Sequence, residues 1–248
     1  MKITAETRTV VKPNHAMITP DGYVNSVVPG WSDCEINVII NPAMGAQFSQ
    51  QLIHLDAEGT GEAKTEFSEI FLYIVHGHCE ISVEGKTNDM SQGNFLYIPP
   101  GNDYRVTNNT SLTQILTFQK EYEPLEDYPV PQSVFGNRAK VPSELYMEDP
   151  QLHMQNLLPD ELSFDMAVNI FTYDPGGNLP FVETHIMEHG LLYLAGQGIY
   201  MLDNHWYPIQ KGDSLWMAPY CPQWFVAMGK EPAVYIYYKN VNRYAIKQ

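Results

Sequence analysis

No stretch of this chain approaches the roughly 20 consecutive apolar residues that a bilayer-spanning helix needs. The opening segment, MKITAETRTVVKPNHAMITPDG, holds no apolar run long enough for a secretory signal. A cytoplasmic protein with no membrane partner is therefore expected. Cysteine is scarce. Cys34, Cys79 and Cys221 make an odd count without metal-ligand spacing, so reduced thiols are expected rather than a disulfide framework. Basic residues are few as well: 14 Lys and Arg stand against 29 Asp and Glu, a net charge of −15. Nothing resembles the basic stripe that neutralises phosphates, which excludes nucleic acid as a partner. An anionic ligand would also need a local positive centre, because the overall charge does not attract it. The clearest helical candidate is one short segment, residues 154–162.

What the chain has in plenty is strand-forming residues. There are 16 Tyr and 10 Phe, and hydrophobic residues make up 44 % against 17 % charged, a mix that favours β structure. At 248 residues the chain is long enough for two domains of modest size. It also repeats itself. The segment from Glu69, EIFLYIVHGHCEISVEGKTNDMSQGNFLYIPPG, is similar to the one from Glu188, EHGLLYLAGQGIYMLDNHWYPIQKGDSLWMAPY, about 120 residues on. Each reads as an apolar strand, a glycine-bearing turn, a second strand closed by a tight turn (Glu84-Gly85 or Asp203-Asn204), and an aromatic strand ending in proline. A repeat of this length is a duplicated domain and not a solenoid unit, and short strands punctuated by turns signal a sandwich or barrel. Between the copies lie several prolines, which discourage helix interiors and central strands. The expected division is a first barrel over residues 1–123, a Pro-rich linker over 124–148 and a second barrel over 149–248.

Of the eight histidines, two sit in a suggestive pattern: Gly177, then Glu183, His185 and His189, then Gly196. Alternate residues of a strand share a face, so Glu183 and His185 would point into one interior, and a short turn would let His189 join them. Gln223, eleven positions after Gly212, comes from the next hairpin. A lone histidine is usually a hydrogen-bonded core residue. Here a carboxylate would be buried beside two imidazoles, at a cost of several kcal/mol unless a partner compensates it. A divalent cation is the economical partner. Two oxygen donors and two imidazoles form a mixed N/O set that suits Mn²⁺, with Fe²⁺, Ni²⁺ and Zn²⁺ as alternatives. With one carboxylate, such a site keeps a net charge of about +1, the local positive centre an anionic substrate needs here.

The spacing around these residues resembles the cupin pattern, G-x5-H-x-H-x(3,4)-E-x6-G followed by G-x5-P-x-G-x2-H-x3-N. The first motif's spacing is met with the chemistry permuted: Glu183 stands in the first His slot, His185 in the second and His189 in the Glu slot. Gln223 stands in the second motif's His slot, and the motif's proline is displaced by one, to Pro219. In the first copy Gly93, Pro99 and Gly101 keep the second motif, but Tyr104 replaces its His. Ala63, Thr65 and Glu69 fall near the other slots, and one carboxylate does not make a site. The resemblance implies an all-β bicupin, two tandem jelly-roll barrels with the metal site degenerate in the first.

Over essentially the whole chain the sequence resembles the (S)-ureidoglycine aminohydrolase family. The similar stretches include TPDGYVNSVVPGW, LPDELSFDMAVNIFTYDPGG, FVETHIMEHGLLYLAGQGIYMLDNHWYPIQKGD and WMAPYCPQWFVAMG. That resemblance implies metal-dependent release of ammonia from (S)-ureidoglycine, giving (S)-ureidoglycolate in purine (allantoin) breakdown. It further implies one Mn²⁺ per chain in the C-terminal cupin, held by Glu183, His185, His189 and Gln223. Tyr200, Tyr235 and Lys239 fall on its substrate-contacting positions, and a homo-oligomer is implied. On strand alternation Tyr235, Tyr237 and Lys239 share one face, and an inward lysine calls for an anion. Lys120 in ILTFQKEY stands in a similar place in the first copy. Lys239 would then pair with the substrate carboxylate or pass a proton to departing ammonia, and Glu183 would accept a proton. The rival readings are a decarboxylase or dioxygenase of the bicupin type, which usually carries three His and one Glu, and a non-enzymatic small-molecule-binding bicupin.

Overall fold

Strand-forming segments of alternating apolar residues dictate an architecture made almost wholly of antiparallel pairs, and the computed structural model describes it for residues 7–241. Two compact units emerge: one from residues 24–142 and 156–167, the other from residues 7–23, 143–155 and 168–241. Among the described residues the helical pieces are single 3-10 turns, such as Pro42–Met44 and Tyr146–Glu148.

The first unit is a nine-stranded sheet. Its long strand, Ser49–Lys64, pairs with Thr113–Glu121 over residues 49–55 and with Asp103–Thr107 over residues 60–64. One strand thus feeds two parts of the sheet and curls it round a core of Ile36, Ile53, Leu72, Ile81, Leu96, Val106 and Ile115. That interior is almost entirely aliphatic. Ser68–His76 shows the period of two: Ile70, Leu72 and Ile74 enter the core, while Glu69 and Phe71 face the other way, also buried.

The second unit opposes two sheets. An eight-stranded sheet runs Val10–Val11, His15–Ile18, Ser214–Met217, His189–Ala195, Ala233–Asn240, Met166–Tyr173, Leu152–Asn156 and Glu144–Leu145 in spatial order. A three-stranded sheet has Gln197–Leu202 between His205–Gln210 and Gln223–Met228. Their inner faces share a core rich in aromatics, including Phe171, Tyr173, Tyr193, Tyr200, Phe225 and Tyr235. Both tight turns fall where the repeat placed them. Val83 pairs with Lys86 around Glu84-Gly85, both at positive φ (52° and 72°), and Leu202 pairs with His205 around Asp203-Asn204.

Three expectations differ from the structure. Residues 7–23 belong with the second barrel and not the first: His15–Ile18 pairs with Ser214–Met217, and the Arg8 guanidinium makes two hydrogen bonds, of 2.8 and 2.7 Å, to the buried Asp213 carboxylate. Conversely, residues 156–167 belong with the first barrel, where Asp165 pairs with Lys120 and Tyr122 donates to the Ser163 carbonyl at 2.9 Å. These assignments rest on pairings far apart in sequence, which composition does not reveal. The helix expected at 154–162 is absent: the segment ends the strand Leu152–Asn156 and continues irregularly. Within the Pro-rich stretch, Val134–Asn137 forms an edge strand against Asn94–Ile98, where proline neighbours cost no ladder hydrogen bonds.

Candidate active site

The second barrel brings the four expected ligand residues to one end of its core. Glu183 and Gln223 are locked together by a reciprocal backbone pair, each amide donating to the other's carbonyl at 2.9 Å. Gln223 opens the strand Gln223–Met228, and His189 opens His189–Ala195 with Met217 on one side and Lys239 on the other. His185 lies between them on a loop fixed by the Tyr220 amide, which donates to its carbonyl at 2.7 Å. The segment from Glu183 to His185 is therefore not the regular strand that alternation suggested; a lone bridge and a loop bring the two together. Tyr220 holds φ of 63°, taking the left-handed turn that Gly101 takes (φ 84°) three residues before Tyr104 in the first barrel. The displaced proline thus leaves the loop's shape and the Gln223 position intact.

The imidazoles face each other. His185 Nε2 lies 3.1 Å from His189 Nε2 and 2.9 Å from Gln223 Nε2. Each ring's other nitrogen meets a backbone carbonyl, His185 Nδ1 at 3.1 Å from Met187 and His189 Nδ1 at 3.3 Å from Tyr238. A carbonyl only accepts, so each Nδ1 presents its N–H there and the two Nε2 atoms are left facing each other. Burial above all, then the neighbouring His185 and Lys239, pushes His189 down to about 3, so it stays neutral. Imidazoles oriented by backbone carbonyls are typical of metal ligands. Two nitrogens about 2.1 Å from one cation and at right angles stand about 3 Å apart, which the observed separation matches. Tyr200 donates to Gln223 Oε1 at 3.3 Å; a half-turn of that amide would offer its oxygen to the same point and its nitrogen to the Tyr200 hydroxyl. The Glu183 carboxylate is the less committed member, accepting from the Tyr146 hydroxyl at 3.0 Å. Among the described residues no three His, Cys, Asp or Glu side chains form a ready-made ligand group. The donor set fits a divalent cation through two imidazoles, one carboxylate and one amide.

These residues line a cavity of about 150 Å³ whose walls also include Tyr146, Met154, Phe171, Tyr200, Tyr235, Tyr237 and Lys239. Tyr235 and Lys239 therefore share the inner face of Ala233–Asn240, as alternation required. The tyrosine hydroxyls are networked: Tyr173 and Tyr235 lie 2.9 Å apart, and Asn169 donates to Tyr237 at 3.0 Å. Burial raises the Tyr200 and Tyr235 hydroxyls well above their ordinary range, so they remain protonated donors. Sequence reasoning missed Tyr146, Met154 and Phe171 as wall residues. Phe171 had a signal in its strand's alternation; Tyr146 had none, lying in a stretch that reads as linker.

Among its described residues the first barrel has no equivalent constellation. Ala63 pairs with Tyr104 as Glu183 does with Gln223. At the next slot the expected correspondence fails. Ile70, paired with Gln119 and Ile98, occupies the inward position of His189, paired with Lys239 and Met217. Glu69 matches Glu188 instead, on the opposite face, and Lys120 is not the counterpart of Lys239. The loop after Thr65 is one residue longer than the loop after His185, and one residue reverses the facing of a strand.

A cupin-domain family matches residues 51–116 and 169–238, once in each barrel. The (S)-ureidoglycine aminohydrolase of Escherichia coli (strain K12) is 37 % identical over 95 % of this chain and 92 % of its own length. The chain belongs to the (S)-ureidoglycine aminohydrolase family. The (S)-ureidoglycine aminohydrolase of Arabidopsis thaliana is 32 % identical over 96 % of this chain and 79 % of its own. A crystal structure of the Escherichia coli protein Ylba has a TM-score of 0.87 at 36 % identity, covering 96 % of this chain and 95 % of that one. Oxalate decarboxylase of Bacillus subtilis has a TM-score of 0.67 at 12 % identity over 90 % of this chain and 76 % of its own, a likeness of fold alone. For this aminohydrolase family member, among the described residues, no helix is long and apolar enough to cross a membrane.

Proposed function

We propose that this chain is a metal-dependent hydrolase that releases ammonia from (S)-ureidoglycine and leaves (S)-ureidoglycolate, with its active site in the second barrel. The observation that carries the reading is the facing pair of imidazoles beside Gln223 and Glu183, in a cavity that also holds Lys239. A divalent ion held by Glu183, His185, His189 and Gln223, Mn²⁺ being the best match to the donors, supplies a positive centre that anchors and orients an anionic substrate.

The residues divide the remaining work. The substrate's central carbon bears an amine, a ureido nitrogen and a carboxylate, so ammonia is already a feasible leaving group, and the task is to fix one geometry and add water to one face. Lys239, cross-strand neighbour of His189, pairs with the substrate carboxylate or delivers a proton to the leaving amine. Tyr200 and Tyr235, kept protonated by burial, donate to substrate oxygens. Glu183 accepts a proton from the incoming water. The carbon–nitrogen bond breaks, a carbon–oxygen bond forms, and the nitrogen leaves as ammonia. An acidic chain that associates into a homo-oligomer and acts on a small molecule in the cytoplasm completes the reading.

The test is ammonia release from freshly generated (S)-ureidoglycine, with product chirality followed, in metal-stripped and Mn²⁺-restored protein. Metal-dependent release giving only (S)-ureidoglycolate is expected. A metal-loaded protein that does not exceed the spontaneous background would refute the substrate assignment.

A further inference from the structure

We infer that Tyr146 is a positioning residue for Glu183: its hydroxyl holds one carboxylate oxygen back, so that the other oxygen alone is offered to the cation. The inference rests on reading Glu183, His185, His189 and Gln223 as cation ligands.

The Tyr146 hydroxyl donates to Glu183 Oε1 at 3.0 Å. Its ring is fixed by a chain of contacts that ends on a ligand. Tyr146 meets Phe171 edge-on with centroids 5.0 Å apart, Phe171 stacks on Tyr237 at 5.4 Å, and Tyr237 meets His189 edge-on at 5.5 Å. The hydroxyl's position is therefore referenced to the same imidazole that Glu183 must match.

The backbone that delivers Tyr146 is strained. Met147 and Glu148, neither of them glycine, both lie in the left-handed region with φ of 52° and 60°, a conformation that persists only where its surroundings enforce it. Neither side chain gains burial from it, since both are exposed. The enforcement comes from the hairpin. Glu144 and Leu145 pair with Met154 and His153, the Asp149 amide returns to the Tyr146 carbonyl at 3.1 Å, and the Gln151 amide donates to Asp149 Oδ1 at 2.9 Å. The one side chain this turn carries into the cavity is Tyr146.

A carboxylate free to rotate could bind a cation through both oxygens or swing away from it. With Oε1 held, Glu183 would offer the cation its other oxygen. Hydrogen bonds to ligating carboxylates of this kind typically govern affinity by about 10- to 100-fold.

The experiment titrates metal-free protein with Mn²⁺, reading free ion by electron paramagnetic resonance, for the wild type and Tyr146→Phe, which keeps the ring contacts. The expected result is a dissociation constant raised about 10-fold or more at an unchanged melting temperature. A double-mutant cycle separates this from mere packing: in a Glu183→Ala background, removing the hydroxyl should change Mn²⁺ affinity no further. Equal affinity of Tyr146→Phe and wild type would overturn the positioning role while leaving the cation site standing. Full additivity with Glu183→Ala would overturn it as well, because the hydroxyl would then act elsewhere. A wild type that binds no Mn²⁺ would overturn the ligand reading and this inference together, whereas Mn²⁺ binding without turnover of ureidoglycine would refute only the substrate.

Discussion

Replacing Glu69 by Gln should make the protein more stable at neutral pH, by an amount that grows as the pH rises. Glu69 is fully buried on the outer face of the first barrel. Its Oε2 accepts from the Tyr97 hydroxyl at 2.6 Å, and Asp165 Oδ2 takes Lys120 and the Glu123 amide. The remaining oxygens, Glu69 Oε1 and Asp165 Oδ1, are buried without a donor, and a proton on Glu69 shared with Asp165 satisfies both. Burial first, then the Asp165 carboxylate, raises Glu69 well above the usual carboxylate range. Burial acts to raise Asp165 too, but the hydrogen bond from Glu69 and the Lys120 ammonium outweigh it and hold Asp165 low. The folded state thus keeps a proton on Glu69 that the unfolded chain has released above its ordinary carboxylate pKa. Stability contributed by Glu69 is complete below that pKa and is lost as pH rises toward the folded value, with a slope of at most about 1.4 kcal/mol per pH unit for one proton. Asp165 has the opposite sign and affects only the acid limb. Gln copies the protonated shape at every pH, so the difference between Glu69→Gln and wild type should widen from pH 5 to pH 8 in denaturant or thermal melts. A difference that stays constant across that range would show that Glu69 is ionised in the folded protein, and the shared-proton reasoning would fail.

Two further outcomes are expected. Lys239→Ala should retain Mn²⁺ binding but lower kcat/KM for ureidoglycine by about 100-fold or more; turnover at the wild-type rate with metal in place would remove Lys239 from the mechanism. Tyr220→Gly should relieve the left-handed strain at φ 63° and, after the entropy glycine adds to the unfolded chain, raise stability by about 0.5–1 kcal/mol in a denaturant melt. A loss of stability there would mean that the exposed Tyr220 ring makes a contribution larger than its backbone costs.

Much of the fold and site was legible because it follows from local rules. The two tight turns needed residues able to take positive φ, and Glu84-Gly85 and Asp203 supplied them between runs of strand formers. Tyr235 and Lys239 share a cavity wall because strands have a period of two. The illegible parts were those decided by distant pairing. Nothing in TRTVVKPNHAMI says that Arg8 will meet Asp213 or that His15–Ile18 will pair with Ser214–Met217. Tyr146 was invisible for the same reason: a residue amid prolines becomes a cavity wall only once its hairpin docks on the sheet edge.

The two barrels share an outer framework and differ inside. Both keep a buried glutamate on the outer face beside an aromatic donor, Glu69 with Tyr97 and Glu188 with Trp216. Both keep a left-handed residue before the last ligand slot, Gly101 and Tyr220. Their interiors differ. Where the second barrel has Glu183, His185, His189, Lys239 and Gln223, the first has Ala63, Thr65, Ile70, Gln119 and Tyr104, groups that offer a divalent cation no imidazole and no carboxylate. The first interior could therefore close over aliphatic side chains with no compensating partner, and it did. The second instead holds two imidazoles with their Nε2 atoms 3.1 Å apart beside the Gln223 amide. The outer framework is thus common to both barrels, and what separates them is the set of side chains that each interior presents.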